Sequence, residues 1–283
     1  MQPHTSYLVC ATQRSESTLL CEALTNTQRA GHPAEYFEAL RASGLPTRPK
    51  EYFEDIEDNE INRILGNYSR IDQKLPQRFT NYENYLNEVL EKGTTSNGVF
   101  GAKMMWGYLG DFVDSVRQIH RYRELAVPHI LPAIFPNLHY IFVTRSDKVR
   151  QAISLWKAIQ TQTWRVDGHK DPSNSTGQLR HSDPELVFNF AAIDHLVQRI
   201  TRHDAAWQDY FSCLGIQPFT VVYEELVDAY EETATAILRY LHIPVPEHLP
   251  FAPRTMQKQS NGLSEQWVER YHAIKQEQEE QPD

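Results

Sequence analysis

The sequence is short of several things, and each absence closes off a class of function. Its 283 residues include only three cysteines, Cys10, Cys21 and Cys213, without the paired spacing of a metal site. Two of them lie in apolar patterns with nothing nearby to lower a thiol pKa, so the set reads as reduced thiols of a cytoplasmic protein. No apolar run approaches the roughly 20 residues needed to cross a bilayer, and membrane insertion is not expected. Met1-Gln2-Pro3-His4 lacks the basic and apolar regions of a signal peptide. Positive charge is in deficit: a formal net charge of −9 argues against a nucleic-acid or membrane-surface binder. There is no obvious metal-ligand cluster and no internal repeat.

Near the N-terminus another absence matters more. From Thr12 to Leu24 there is no glycine, and no lysine precedes Ser17-Thr18, so the GxxxxGK[ST] phosphate loop is missing. What stands there is a short run of β-formers, Tyr7 to Ala11, then the polar loop Thr12-Gln13-Arg14-Ser15-Glu16. The run Ser17-Thr18-Leu19-Leu20-Cys21-Glu22-Ala23-Leu24 follows, with Leu19, Leu20, Ala23 and Leu24 on one helical face. A strand feeding a polar loop at a helix N-terminus offers free N–H groups and the positive dipole end to an anion. Arg14 can grip anionic oxygens in bidentate fashion. On local sequence alone, an anion cradle and an ordinary connection whose hydroxyls cap the helix are both open.

Hydropathy predicts further strands at Val99–Trp106, Leu138–Thr144 and Phe219–Tyr223. Helices are expected over Asn59–Leu65, Asn81–Lys92, Leu109–Leu125, Asp147–Gln160, Pro184–Leu214, Glu225–Leu241 and Ser264–Ile274. Residues 1–274 read as one domain, in which 167–183 is a polar, mobile loop, and 275–283 is a Gln/Glu-rich solvated tail. Strands alternating with helices predict an α/β fold of three layers, a mainly parallel sheet with helices on both faces. Such sheets bind ligands beyond the carboxyl ends of their strands, and Gln13, Arg14, Trp106 and Arg145 all follow strand ends. Arg145 and Ser154 could hold a second phosphate through a guanidinium and a hydroxyl, although taken alone they favour an arginine capping a strand and a serine inside a helix.

Several segments together carry a resemblance: Gln13-Arg14-Ser15 with Ser17-Thr18, Gly31 with Pro33, Glu35 and Phe37, Gly101 with Lys103 and Trp106, Arg145 with Ser154, and Trp267 with Tyr271. In this order the chain resembles the bacterial trehalose 2-sulfotransferases of the sulfotransferase superfamily that uses 3′-phosphoadenosine-5′-phosphosulfate (PAPS). The resemblance implies a P-loop-like sulfotransferase fold, PAPS as co-substrate, no metal, a sugar or glycolipid acceptor and a homodimer. It implies that Arg14, Ser15, Glu16, Ser17 and Thr18 surround the donor's 5′-phosphosulfate, that Arg145 and Ser154 take its 3′-phosphate, and that Glu35 is the general base.

The chemistry is consistent with that assignment. Sulfuryl transfer, like phosphoryl transfer, asks for positioning and charge stabilisation, and Arg14 with the helix N-terminus acts where the leaving group gains charge. A carboxylate among Pro33, Tyr36 and Phe37 can have its pKa raised by desolvation, as a base near neutral pH requires. On residue chemistry alone His32 is the rival base. Gln13, His32, Pro33, Tyr36, Phe37, Tyr52 and Trp106 are the candidates for the sugar pocket, each aromatic also fitting a core role. Lys103 could steady an anion or merely end a strand. Arg254, Lys258 and Gly262 resemble the late basic loop that closes over the 3′-phosphate in other sulfotransferases.

One residue departs from the family pattern. Glu16 stands where the family loop has glycine, which permits unusual backbone angles and close approach to the donor. A carboxylate there weakens donor binding if it points inward and is tolerated if it points out from the helix start. Two other readings remain: a Mg²⁺-dependent small-molecule kinase, opposed by the missing lysine, and a nucleotide- or sugar-binding homologue weakened by Glu16.

Overall fold

A computed structural model describes residues 2–38, 52–66, 81–161, 164, 186–247, 251 and 262–280. The expected 167–183 loop and the late basic residues Arg254 and Lys258 lie outside them. The contacts divide the chain into two compact units: Met1–Thr47, Lys74–Ser146 and Arg202–Ala252 form one, and Arg48–Gln73, Asp147–Thr201 and Pro253–Asp283 the other.

The first unit is built on a sheet of four parallel strands, β1 (Thr5–Ala11), β2 (Val99–Met105), β3 (Leu138–Thr144) and β4 (Phe219–Val222), in the order β2-β1-β3-β4. Every residue of β1 and β2 is buried, so alternate side chains are covered on both faces, the signature of a parallel sheet inside a layered α/β fold. The register puts Leu8, Tyr140, Cys10 and Phe142 on one face, where Phe211 packs against both aromatic rings. Tyr7 and His139 share the opposite face, where His139 meets Tyr240. Around this sheet are α1 (Ser17–Asn26), α3 (Tyr82–Gly93), α4 (Trp106–Val116), α5 (Val127–Ile134), α8 (Tyr223–Asp228) and α9 (Tyr230–Tyr240). The second unit holds α2 (Asn59–Gly66), α6 (Lys148–Thr161) and α10 (Gly262–Glu280). The long α7 (Phe190–Cys213) gives its first half to the second unit and its second half to the first.

The core of the second unit gathers Phe53, Ile61, Trp156, Ile193, Leu196, Ile200, Trp267 and Tyr271. Truncating a buried aromatic such as Trp156 to alanine costs about 3–5 kcal/mol, and here the indole also donates to the Val187 carbonyl at 2.8 Å. Asp194 accepts from Tyr271 Oη at 2.7 Å and from Lys275 Nζ at 3.0 Å, tying α7 to α10 within this unit.

The strands fall where the alternation predicts them, but several helix ends do not. The expected Leu109–Leu125 helix stops at Val116, and a short 3₁₀ turn over His120–Tyr122 precedes α5. Pro128 sits in the first turn of α5, where its missing N–H is not needed, and Pro132 forgoes one interior bond; both disguise the helix in the sequence. Trp106 opens α4 instead of closing β2. The helix expected over Glu225–Leu241 breaks at Ala229, whose backbone leaves the helical region at φ −123°, ψ 48°. Helix α7 starts at Phe190 because Asn189 Oδ1 accepts the Ala192 N–H at 2.7 Å, an N-cap that Pro184 does not supply. Helix α10 runs to Glu280, past the expected end at Ile274. Cys10 and Cys21 are buried thiols, whereas Cys213 at the end of α7 is exposed. No described helix is long and apolar enough to cross a membrane.

Candidate active site

Because β1, β2 and β3 are adjacent and parallel, their carboxyl ends open on one edge, and the residues after each strand share it. After β1 the chain turns sharply. Arg14 and Glu16 both take the left-handed conformation at φ 60°, Glu16 with ψ 24° immediately before α1. This explains why glycine suits position 16: a side chain there is strained by the clash of Cβ with the backbone. Neither Ser17 nor Thr18 holds the N-cap position of α1, which belongs to Glu16, and the Glu16 side chain makes no capping hydrogen bond.

The loop is cationic under tension. Burial is the chief influence lowering the proton affinity of Arg14; Glu16 pushes it back up, and Arg145 adds to the lowering. Two guanidiniums from the ends of β1 and β3 are thus close enough to repel, the arrangement expected of a site for a multiply charged anion. Arg145 is held over the Tyr223 ring at 4.7 Å, with Glu224 Oε1 3.8 Å from its Nε. Glu224 Oε2 accepts the Ser146 N–H at 3.1 Å, so one carboxylate braces both the arginine and the turn after it. Among the described residues, Ser15 Oγ and Arg145 Nε are buried without a hydrogen-bond partner. Buried polar atoms are normally satisfied, and an unpartnered hydroxyl and guanidinium N–H at the strand ends fit a phosphate or sulfate ester.

Beside this loop lies the segment from Ala30 to Phe37, sewn along the outer edge of β2. Tyr7 Oη donates to the Ala30 carbonyl at 2.5 Å, and its ring fills the space that a side chain at Gly101 would occupy. The Gly31 N–H donates to Thr95 Oγ1 at 3.2 Å, the His32 N–H to the Gly93 carbonyl at 2.9 Å, and the Lys103 N–H to the Ala34 carbonyl at 2.9 Å. The segment therefore covers an otherwise bare sheet edge. It also fixes the position of Glu35.

Lys103 is the residue that sequence reasoning left without a role. It is 4% exposed, and its ammonium lies 2.7 Å from Glu35 Oε2 and donates to Thr18 Oγ1 at 3.2 Å. One cation joins the start of α1 to the carboxylate of the neighbouring segment. A signal existed: a lysine inside an otherwise apolar strand must be paired when buried. Glu35 is thus surrounded by an ion pair more than by the apolar pocket expected for it.

The other predicted residues divide. Gln13 is buried, and its amide lies with His203 against Gly107, at the start of α4. Trp106 packs edge-on to Trp207 at 5.1 Å. His32 is exposed, and its carbonyl accepts from Tyr36 Oη at 2.6 Å. Pro33 is buried. Phe37 is buried in an aromatic cluster with Phe112 and Phe135. Tyr52 and Ser154 belong to the second unit; Tyr52 stacks on Trp164 there, is 3% exposed, and gives its carbonyl to His195. No group of three metal-ligating side chains occurs among the described residues.

Comparison with known proteins adds to the geometry. The model of the family described as Stf0 sulphotransferase matches residues 6–274. A trehalose 2-sulfotransferase of Mycobacterium tuberculosis is 33% identical over 269 residues, with 94% of each chain covered. One of Mycolicibacterium smegmatis is 31% identical over 269 residues, again with 94% of each chain covered. A solved sulfotransferase domain from the Synechococcus PCC 7002 olefin synthase aligns with 96% of this chain and 95% of that one, at 14% identity and a TM-score of 0.41, too distant for any argument.

Proposed function

The chain belongs to the Stf0 sulphotransferase family, and from that premise we propose that it transfers the sulfuryl group of PAPS to a hydroxyl of trehalose or a related glucoside. The observation that carries the mechanism is the chain of contacts Thr18–Lys103–Glu35, which ties the donor loop to a carboxylate. Glu35 is the general base: Oε2 is engaged by Lys103, and Oε1 takes the proton of the acceptor hydroxyl. The acceptor oxygen forms its bond to sulfur as the bond from sulfur to the bridging phosphate oxygen breaks, in line, with adenosine 3′,5′-bisphosphate leaving.

Arg14, Ser15, Glu16, Ser17 and Thr18 surround the 5′-phosphosulfate, and Arg145 takes the 3′-phosphate. Arg14, Lys103 and the uncapped N-terminus of α1 stabilise the charge that develops on the leaving oxygen. The reaction needs no metal in this scheme, because the cations are supplied by side chains. Gln13, His32, Pro33, Tyr36 and Trp106 are assigned to the acceptor, with Phe37 edge-on to Tyr36. The acceptor reading rests on the two trehalose-specific relatives. A glycolipid acceptor, a homodimer and a cytoplasmic location belong to the same reading.

Incubation with ³⁵S-labelled PAPS and trehalose tests it: labelled trehalose sulfate is expected, and no transfer to trehalose or any glucoside in a panel would overturn it. Glu35→Gln is expected to abolish turnover while binding adenosine 3′,5′-bisphosphate as the parent does. Full activity in that variant would transfer the role of base to His32.

A further inference from the structure

Asp204, on α7, is a carboxylate inside an apolar stripe. Ile193, Leu196, Ile200, Trp207 and Phe211 are among the buried residues of that helix, and Asp204 among them is 4% exposed. Its two oxygens are divided between two strands. Thr12 Oγ1 donates to Oδ1 at 3.0 Å, and Thr144 Oγ1 donates to Oδ2 at 2.6 Å. Thr12 follows the last residue of β1 and stands two before Arg14; Thr144 is the last residue of β3 and stands directly before Arg145. One turn further along the same helix, Trp207 Nε1 donates to the Ala11 carbonyl at 3.1 Å.

We propose that Asp204 is a positioning residue for the donor site, bracing the two strand ends from which Arg14 and Arg145 depart and so fixing the spacing of the two guanidiniums. The proposal rests on the PAPS reading given above. A donor with phosphate groups at two positions of one ribose demands that two cations keep a set separation. The loop carries two residues in left-handed backbone, Arg14 and Glu16. Such strain persists only where the surroundings over-determine it.

Burying a carboxylate at 4% exposure costs free energy, and an apolar residue would fill the position at less cost. Retaining an acid there gives two directed bonds to two different strands, which an apolar residue cannot. The mutual repulsion of Arg14 and Arg145 makes the same demand, because two like charges drift apart unless their backbones are held.

The test is calorimetric titration of adenosine 3′,5′-bisphosphate into the full-length protein, with steady-state kinetics alongside. Asp204→Asn and Asp204→Ala are expected to weaken binding by about tenfold or more. Thr12→Val and Thr144→Val, which keep shape and lose the hydroxyl, are each expected to weaken it several-fold, and Thr12→Ser and Thr144→Ser to restore it to about the parental value. The donor KM should rise in step with the loss of bisphosphate affinity while the acceptor KM stays within about threefold of the parent, a split that simple loss of stability does not produce. Folded Asp204 variants with parental affinity would overturn the assignment. If the Asp204 variants do not fold, the valine and serine pairs decide, and valine variants with parental affinity overturn it equally. A parent that fails to bind the bisphosphate defeats the donor reading and this inference with it; a parent that binds while the variants are unaffected defeats this inference alone.

Discussion

Lys103 holds Glu35 in two ways: its backbone N–H donates to the carbonyl of the preceding Ala34 at 2.9 Å, and its ammonium lies 2.7 Å from Glu35 Oε2. Backbone and side chain of one β2 residue thus fix both the segment and the carboxylate it carries. The same ammonium reaches Thr18 at 3.2 Å. Lys103→Met should therefore lower kcat by about 100-fold, within the usual range for loss of a charge-stabilising group. Affinity for adenosine 3′,5′-bisphosphate should change by no more than about threefold, since Arg14 and Arg145 remain. Rate measurements at saturating substrates with a parallel titration check this; equal losses in both would point to a collapsed donor loop.

Gly31 sits at φ 70°, and a Cβ there would lie 2.6 Å from the Gly101 nitrogen, 2.8 Å from the Gly93 carbonyl and 2.9 Å from the Val99 carbonyl. All three are backbone atoms and cannot rotate away. Gly31→Ala should cost about 2–4 kcal/mol through combined strain and overpacking. It should also lower kcat, because the segment that moves carries Glu35. Thermal melts and turnover measured on the same preparation test the pair of effects, and an alanine variant with parental melting would show that the segment yields without cost.

Glu16 occupies left-handed backbone at φ 60°, ψ 24° and acts on Arg14 as a counter-charge. Glu16→Gly should stabilise the fold by about 1 kcal/mol by removing the Cβ clash. Donor affinity should tighten only modestly, by about two- to fivefold, because a half-exposed carboxylate is screened by water. Parallel denaturation and bisphosphate titration measure both; a gain of a hundredfold would mean that the carboxylate points into the anion site.

Asp194 gives a pH-dependent outcome in the second unit. Burial alone pushes its carboxyl up, but hydrogen bonds from Tyr271, Lys275 and Gln198 together hold it below the ordinary carboxylate value. A carboxyl with a depressed folded pKa stabilises the fold above its unfolded pKa, about 3.9, and the contribution is lost as pH falls through the lower folded value. Asp194→Asn should cost roughly 1–2 kcal/mol at pH 7, since the site is partly exposed and its partners include a solvated lysine. The gap between parent and variant should close in acid. Urea denaturation across pH 3–7 reads the difference, and a gap independent of pH would assign the effect to packing.

The order of legibility follows physical range. The four strands could be placed because each is a short apolar run bounded by polar turns, and the parallel arrangement follows from the helices between them. Helix boundaries were harder where local signals conflicted: Pro128 and Pro132 hid α5, and Asn189 capped α7 in competition with Pro184. Arg14 and Arg145 stood out as arginines at strand ends. Lys103, Asp204 and Glu224 did not, because their partners are distant in sequence: Thr18 is 85 residues from Lys103, Thr12 is 192 from Asp204, and Ser146 is 78 from Glu224.

The sequence by itself determined the α/β class, the strand-loop-helix at Tyr7 to Leu24 and the lack of a lysine or glycine in that loop, since these depend on residue types and periodicity along a short stretch. It also exposed Glu16 as a departure from the family pattern. Only the tertiary structure decided that position 16 lies in left-handed backbone and that Arg14 and Arg145 stand close enough to repel. It also decided that Glu35 meets a buried lysine and that one carboxylate on α7 braces two strand ends. Those relations arise when parallel strands bring remote residues to one edge, and no local pattern encodes a contact made across a sheet.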